Sequence, residues 1–281
     1  MNNNFLDFKI PENYGKGIII IASDTFKSFL REKRFYISFA YYFVLPLFLL
    51  FLQSAELVVQ TGTGIAIYYA QLNTANFVKT LFLTLFPGQI FLAILCSDQI
   101  ASGIENDTLS LILSKPTYHS EIVLGKFFGL VSILAILQIP SLSFVYYYNL
   151  IRYDAEFPFA FYTSLDEVVV MFILILLLQS MIIGLTLMIS SIFDRSLYAI
   201  LTSILSLFII SSISNNQTNL EDGINYFNLG DYIDAILPAI FFNLNKLDPE
   251  PNITLLLFLV LFLISLFLVF TNIILNRKEL F

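Results

Sequence analysis

Residues 168–193 read VVVMFILILLLQSMIIGLTLMISSIF, and after Asp194-Arg195 the chain continues SLYAILTSILSLFIISSIS over residues 196–214. Neither run contains a charged residue. Each is close to the roughly 20 residues that a helix needs to cross a hydrocarbon core. Lipid offers a backbone donor or acceptor no water, so such a run must satisfy its own backbone, and a helix does so within one segment. The short charged break leaves room only for a tight turn. The pair is therefore expected to be a hairpin of transmembrane helices.

Working outward, the same reasoning predicts six spans, at about residues 35–55, 80–97, 124–150, 168–193, 196–214 and 253–275. Composition agrees. The chain is 58% hydrophobic and 12% charged, against about 25% charged for a soluble chain, and its mean hydropathy is +0.82. The expected fold class is an all-α membrane protein with one transmembrane domain over residues 35–276 and a short tail, 277–281. Residues 57–78 are also uncharged but rich in Gln, Asn, Thr and Gly, which suits an outer loop with some structure. Residues 235–245 are apolar but too short to span.

Ahead of the first span, residues 1–34 form the N-terminal segment, whose opening lacks the pattern of a secretory signal peptide. Within it, Ile18, Ile21, Ala22, Phe26, Phe29 and Leu30 recur at helical spacing, and Ser23, Asp24, Lys27, Ser28, Arg31 and Glu32 fill the opposite face. That pattern predicts an amphipathic helix lying in the membrane interface.

Sidedness follows from the basic residues. Lys9, Lys16, Lys27, Arg31, Lys33, Arg34, Lys115, Lys126, Arg195, Arg277 and Lys278 fall on one side of the six-span arrangement, and only Lys79, Arg152 and Lys246 on the other. Both termini and residues 98–122 are thus expected to face the cytoplasm of a multi-pass protein in the cell membrane. The outer loops are acidic and account for most of the net charge of −7. No basic patch exists beyond the membrane-flanking one, so nucleic acid is not an expected partner; membrane lipid is.

One cysteine, Cys96, rules out an internal disulfide and a thiolate cluster, and one histidine, His119, rules out a multi-histidine site, so no metal or cofactor is expected in this chain. No ionisable residue lies mid-span, which argues against a proton-coupled carrier and against an intramembrane hydrolase, which needs an activated nucleophile or a metal. The intramembrane polar residues are Gln89, Gln138 and Gln179, read either as interhelical hydrogen-bond glue or as the lining of a translocation path.

The compact polar stretch of the chain, ENDTLSLILSKPTYHSEIVLGKFFG, spans residues 105–129. Asp107 and Thr108 are placed to cap a short helix with an apolar face of Leu109, Leu111, Ile112 and Leu113, which Ser114-Lys115-Pro116 stops. Ser120-Glu121 opens the next helix, where Gly125 and Gly129 allow close packing against another span.

Glu105, then Thr108-Leu109, Leu113-Ser114-Lys115-Pro116 and Leu124-Gly125-Lys126 resemble the signature of ABC-transporter permeases of the type-2 class. In that family the order is commonly Glu, a spacer, Gly-Thr-Leu, then Leu-Leu-Ser-x-Pro, then Leu-Gly-Lys. Asp107 stands where glycine is usual, and His119 where arginine is frequent. The resemblance extends to the whole architecture, with residues 215–252 similar to the outer half-helices of the family. It implies that loop 98–122 is a coupling helix seated on a separate ATP-binding subunit, with Glu105, Asp107, Thr108, Leu109, Leu111, Ile112 and Lys115 in contact. It also implies a second permease chain, identical or paralogous, and export as the direction of transport. ATP and Mg²⁺ would belong to the partner, because no phosphate-binding loop of the form G-x-x-x-x-G-K-[ST] occurs here; this chain is not expected to be an enzyme. The competing reading is a membrane anchor or assembly subunit without transport.

Overall fold

The computed structural model describes residues 15–52, 73–74, 77, 81–82, 88–108, 118–152, 165–216 and 253–278. Among them the regular structure is entirely helical. Helix α1, Lys16–Arg31, is followed by α2, Lys33–Phe39, a π-helical turn at Ala40–Val44 and α3, Leu45–Leu52. Then come α4, Ile90–Cys96; α5, Ala101–Glu105; α6, His119–Arg152; α7, Leu165–Ile192; α8, Ser196–Asn216; and α9, Ile253–Arg277.

Among the described residues, four helical stretches are long and apolar enough to cross a membrane: Lys33–Leu50, His119–Ile151, Val168–Ile192 and Leu257–Arg277. Ser196–Ser212 is a shorter apolar helix. The predicted second span, 80–97, is described at Leu81, Phe82 and from Gly88 onward. The outer segment 215–252 lies outside the described residues except for its first two positions, and residues 57–78 outside them except for Asn73, Thr74 and Phe77.

Helix α7 is the centre of the bundle and touches α4, α5, α6, α8 and α9. It buries Met171, Leu174, Ile175, Leu178, Ile182, Ile183 and Leu187, which fall on several of its faces, as expected for a helix surrounded by others. Gly184 lets α9 approach: a Cβ there would lie 3.4 Å from Cβ of Phe267. From α6, Ile122, Leu130, Ile133, Leu134 and Leu137 complete the core.

The π-helical turn at Ala40–Val44 ends two residues before Pro46. Proline offers no N–H and crowds the carbonyl four residues earlier, and a local widening of the helix relieves that conflict. Neighbouring Tyr41 and Tyr42 both turn toward the second span. Tyr41 stacks on Phe91 with ring centroids 4.0 Å apart, and Tyr42 packs against Phe82 at 5.1 Å.

The expected apolar stripe of the N-terminal helix α1 meets the bundle, with Ile18, Ile21 and Ala22 against α6, Phe26 packed on the core and Phe29 buried in it. Ile19, Ile20 and Leu30 are the apolar side chains it leaves exposed. Gly125 and Gly129 do allow close packing, but their partner is α1 rather than another span. A Cβ on Gly125 would stand 2.7 Å from Cβ of Ile21, and one on Gly129 would stand 2.9 Å from Cβ of Thr25. Four residues along α1 match four along α6, so the two run parallel. A helix of this length extends roughly 24 Å, while α6 extends about 51 Å at 1.5 Å per residue, some 20 Å beyond a hydrocarbon core of about 30 Å. Helix α1 therefore accompanies the surplus length of α6, the foot below the span.

Both helices start on one carboxylate. Buried Glu121 accepts the Gly15 N–H at 3.3 Å and the Tyr118 N–H at 3.2 Å. The second contact is the return half of a capping box, and a negative charge suits the start of both helix dipoles.

Replacing Gly125 by Ala sets a helix-propensity gain of about 1 kcal/mol against an overpacking cost of about 1–3 kcal/mol. Gly125→Ala is expected to lower the thermal unfolding temperature of the detergent-solubilised chain, and Gly125→Ala/Ile21→Ala to recover part of the loss. A rise in the single variant's midpoint would contradict the close α1–α6 contact.

Candidate coupling site

The segment after the second predicted span, residues 98–108, is gripped from several sides. Asp98, 2% exposed, receives Nη1 of Arg34 at 2.6 Å from its Oδ1. One residue on, the carbonyl of Gln99 accepts a hydrogen bond from Nζ of half-buried Lys126, on the foot of α6. Next, the N–H groups of Ile100 and Ala101 both donate to Oγ of Ser190 on α7, at 3.1 and 2.9 Å. These are among the orphan donors at the start of α5, capped here from another helix. Finally, Oε2 of Glu105 accepts the N–H of Ser196 at 2.9 Å, at the start of α8.

The segment thus has a buried base and an exposed end. Asp98, Ile100, Ala101 and Gly103 are buried; Glu105, Asn106, Asp107 and Thr108 are exposed. Of the sequence-derived contact residues, the structure brings Glu105, Asp107 and Thr108 together at that exposed end. Leu109, Leu111, Ile112 and Lys115 lie outside the described residues.

Glu105 has a duty that sequence reasoning did not assign. Hydrogen bonding to Ser196, with Arg195 nearby, holds its carboxyl below the usual glutamate range. The capping contribution is therefore present above that range and fades as the pH falls through it.

Asp107 also serves the helix that precedes it. Its φ is 54°, the left-handed region, and its N–H bonds the carbonyl of Ile104 at 3.1 Å. It ends α5 in the manner usually served by glycine. Thr108 folds back, its hydroxyl donating to the carbonyl of Gly103 at 3.2 Å. The departure from the glycine of the family signature is thus conservative in backbone terms, because aspartate is among the few L-residues that visit this region routinely.

The same end of the bundle carries a further tie: Nζ of Lys278, at the end of α9, lies 2.6 Å from Oδ1 of Asp194 in the α7–α8 turn. Asp98 and Ser190 were not singled out from sequence, while Arg34 was read only as a membrane-flanking base, Glu121 as the start of a helix and Lys126 as part of the family signature. The available signal was position, since each lies close to a predicted span end or helix start.

Of the three glutamines, Gln138 and Gln179 meet. Nε2 of Gln138 donates to Oε1 of Gln179 between α6 and α7, both side chains being buried, with Tyr42 against them. Such interhelical bonds contribute about 0.6 kcal/mol and at most ~1.7 kcal/mol in membranes. Gln89 lies just ahead of α4, half-buried. A second buried pair, Nδ2 of Asn149 to Oγ1 of Thr74 at 3.0 Å, lies farther along α6. Among the described residues, no group of three or more His, Cys, Asp and Glu comes together as a metal site.

The left-handed turn at Asp107 makes a directional prediction. A β-branched side chain there costs about 1–2 kcal/mol of backbone strain, whereas glycine relieves it. Asp107→Gly is expected to match or exceed the parent in thermal stability, and Asp107→Val to fall below it. The reverse order would contradict the assigned turn.

No curated protein matches the chain. A family model described as ABC-2 family transporter protein matches residues 19–280, from α1 past the end of α9. Residues 98–108 and the side chains that hold them all fall inside that match, so the chain belongs to the ABC-2 family of membrane transporter proteins.

Proposed function

We propose that the chain is the permease subunit of an ATP-driven exporter, coupled to a separate ATPase through residues 98–122. The observation that carries this reading is the form of the segment 98–108. Its exposed end is free of the bundle's core, while its base is bonded to the first span, α6 and α7, and Glu105 reaches α8. A push on the exposed end is thereby delivered to several spans at once. A flexible connector would absorb it.

The partner supplies the nucleotide chemistry. ATP and Mg²⁺ bind there, and closure of two ATP-binding subunits works on two permease chains, identical or paralogous. Orientation with both termini inside the cell membrane rests on the basic residues, which include Arg34, Lys126, Arg195, Arg277 and Lys278 at the end of the bundle where the segment lies. Transport of this type needs a bundle with two arrangements that the partner binds differently. Gln138 and Gln179, bonded to one another in the core, act as glue between α6 and α7 in this reading rather than as lining of an open path.

The test is isolation of the tagged chain in mild detergent, with identification of co-purifying proteins and assay of ATP hydrolysis. A near-stoichiometric nucleotide-binding subunit is expected, together with its loss or uncoupling in Leu109→Asp at unchanged membrane insertion. Recovery of the chain without any nucleotide-binding protein contradicts the coupling reading and favours a membrane anchor.

A further inference from the structure

The ion pair at the base of the segment joins parts of the chain that hydropathy reads as separate. Arg34 stands two residues into α2, just past the joint where Glu32, with extended backbone, turns the chain from α1 toward the first span. Its Nε lies 3.3 Å from Oε2 of Glu32, and its Nη1 lies 2.6 Å from each carboxylate oxygen of Asp98. The acceptor is almost fully buried and the donor half-exposed, with relative side-chain exposures of 3% and 41%. A carboxylate so removed from water depends on its partner. One residue further, the Gln99 carbonyl holds Lys126, which lies between Gly125 and Gly129, the two positions where α1 packs on α6. Helix α1 is thus attached to the coupling segment along two routes: through Arg34, on α2 just past the joint that ends α1, and through the foot of α6.

We propose that Asp98 is the positioning residue that makes the N-terminal helix and the first span move with the coupling segment. This rests on the coupling role given above and names the element that receives the motion. With the Arg34–Asp98 pair intact, a displacement of residues 98–108 turns the α1–α2 joint. Without it, α1 follows only the foot of α6, and the first span loses its direct link to the segment. The pair is suited to this because it sits where α2 and the end of the second predicted span come together, rather than within either element. Ser38, Ile37, Ile94 and Leu95 line a cavity beside it together with Ile200 of α8. That space, of about 210 Å³, leaves room on one side for the two elements to shift against each other.

The experiment is hydrogen exchange on the purified complex of this chain with its ATPase, with and without ATP and Mg²⁺. It follows two peptides, residues 98–108 and 16–38. In the parent, nucleotide is expected to change exchange in both. In Asp98→Asn, which removes the buried charge and leaves half-exposed Arg34 to water, the change at 98–108 persists and that at 16–38 falls at least severalfold. Arg34→Lys, which keeps a positive charge beside Asp98, retains most of it. A purely structural pair would alter thermal stability while leaving the nucleotide response at 16–38 intact, and that result overturns the proposal. A parent complex with no nucleotide response at 98–108 instead removes the coupling reading itself. A response at 98–108 without one at 16–38 removes only the role of Asp98.

Discussion

A peptide group in hydrocarbon has no water to bond, and a charge there has no water to solvate it. That single constraint shapes the chain. The backbone is held in helices, and ionisable side chains are pushed to the helix ends. At one end of this bundle they meet. Arg34 finds Asp98, Lys126 finds a carbonyl, Glu121 holds two helix starts, Glu105 caps α8, and Lys278 reaches Asp194. The apolar core fixes which helices lie side by side. The polar contacts at that end tie residues 98–108 to the first span, α6, α7 and α8.

Much of the helical content was legible in the amino-acid sequence, because a run of about 20 uncharged residues admits few structures. The starts and stops of α7, α8 and α9 fall within a few residues of the expected limits. Among the described residues the structure shows four helices long enough to span and one shorter apolar helix, while part of the second expected span, 80–97, lies outside those residues. What hydropathy could not show was tertiary. Glu121 and α1 support the foot of α6, and neither support leaves a trace in apolar runs. The stripe on α1 was legible as a stripe, but periodicity does not say whether lipid or protein covers it. Gly125 and Gly129 announced a close approach without naming the partner.

The coupling site divides in the same way. Its exposed end was readable from residue types, and Asp107 even explains its departure from glycine, since it occupies a left-handed turn. The buried base was not readable, because Asp98, Lys126 and Ser190 acquire their meaning only when α4, α6 and α7 converge. Leu109, Leu111, Ile112 and Lys115, beyond the described residues, remain assignments from the sequence pattern.

The central claim is that the exposed end of this segment is where a cytoplasmic ATPase pushes. Cys96 is the chain's one cysteine and is buried, so a thiol introduced at exposed Asn106 is the reactive one. The most direct measurement is to cross-link Asn106→Cys in native membranes with a short thiol-to-amine reagent and identify what is captured. The expected product is a single adduct with a nucleotide-binding protein, its yield shifted by ATP. A thiol labelled only from the outer face, or one that is accessible from the cytoplasm yet captures no nucleotide-binding protein, would contradict the claim.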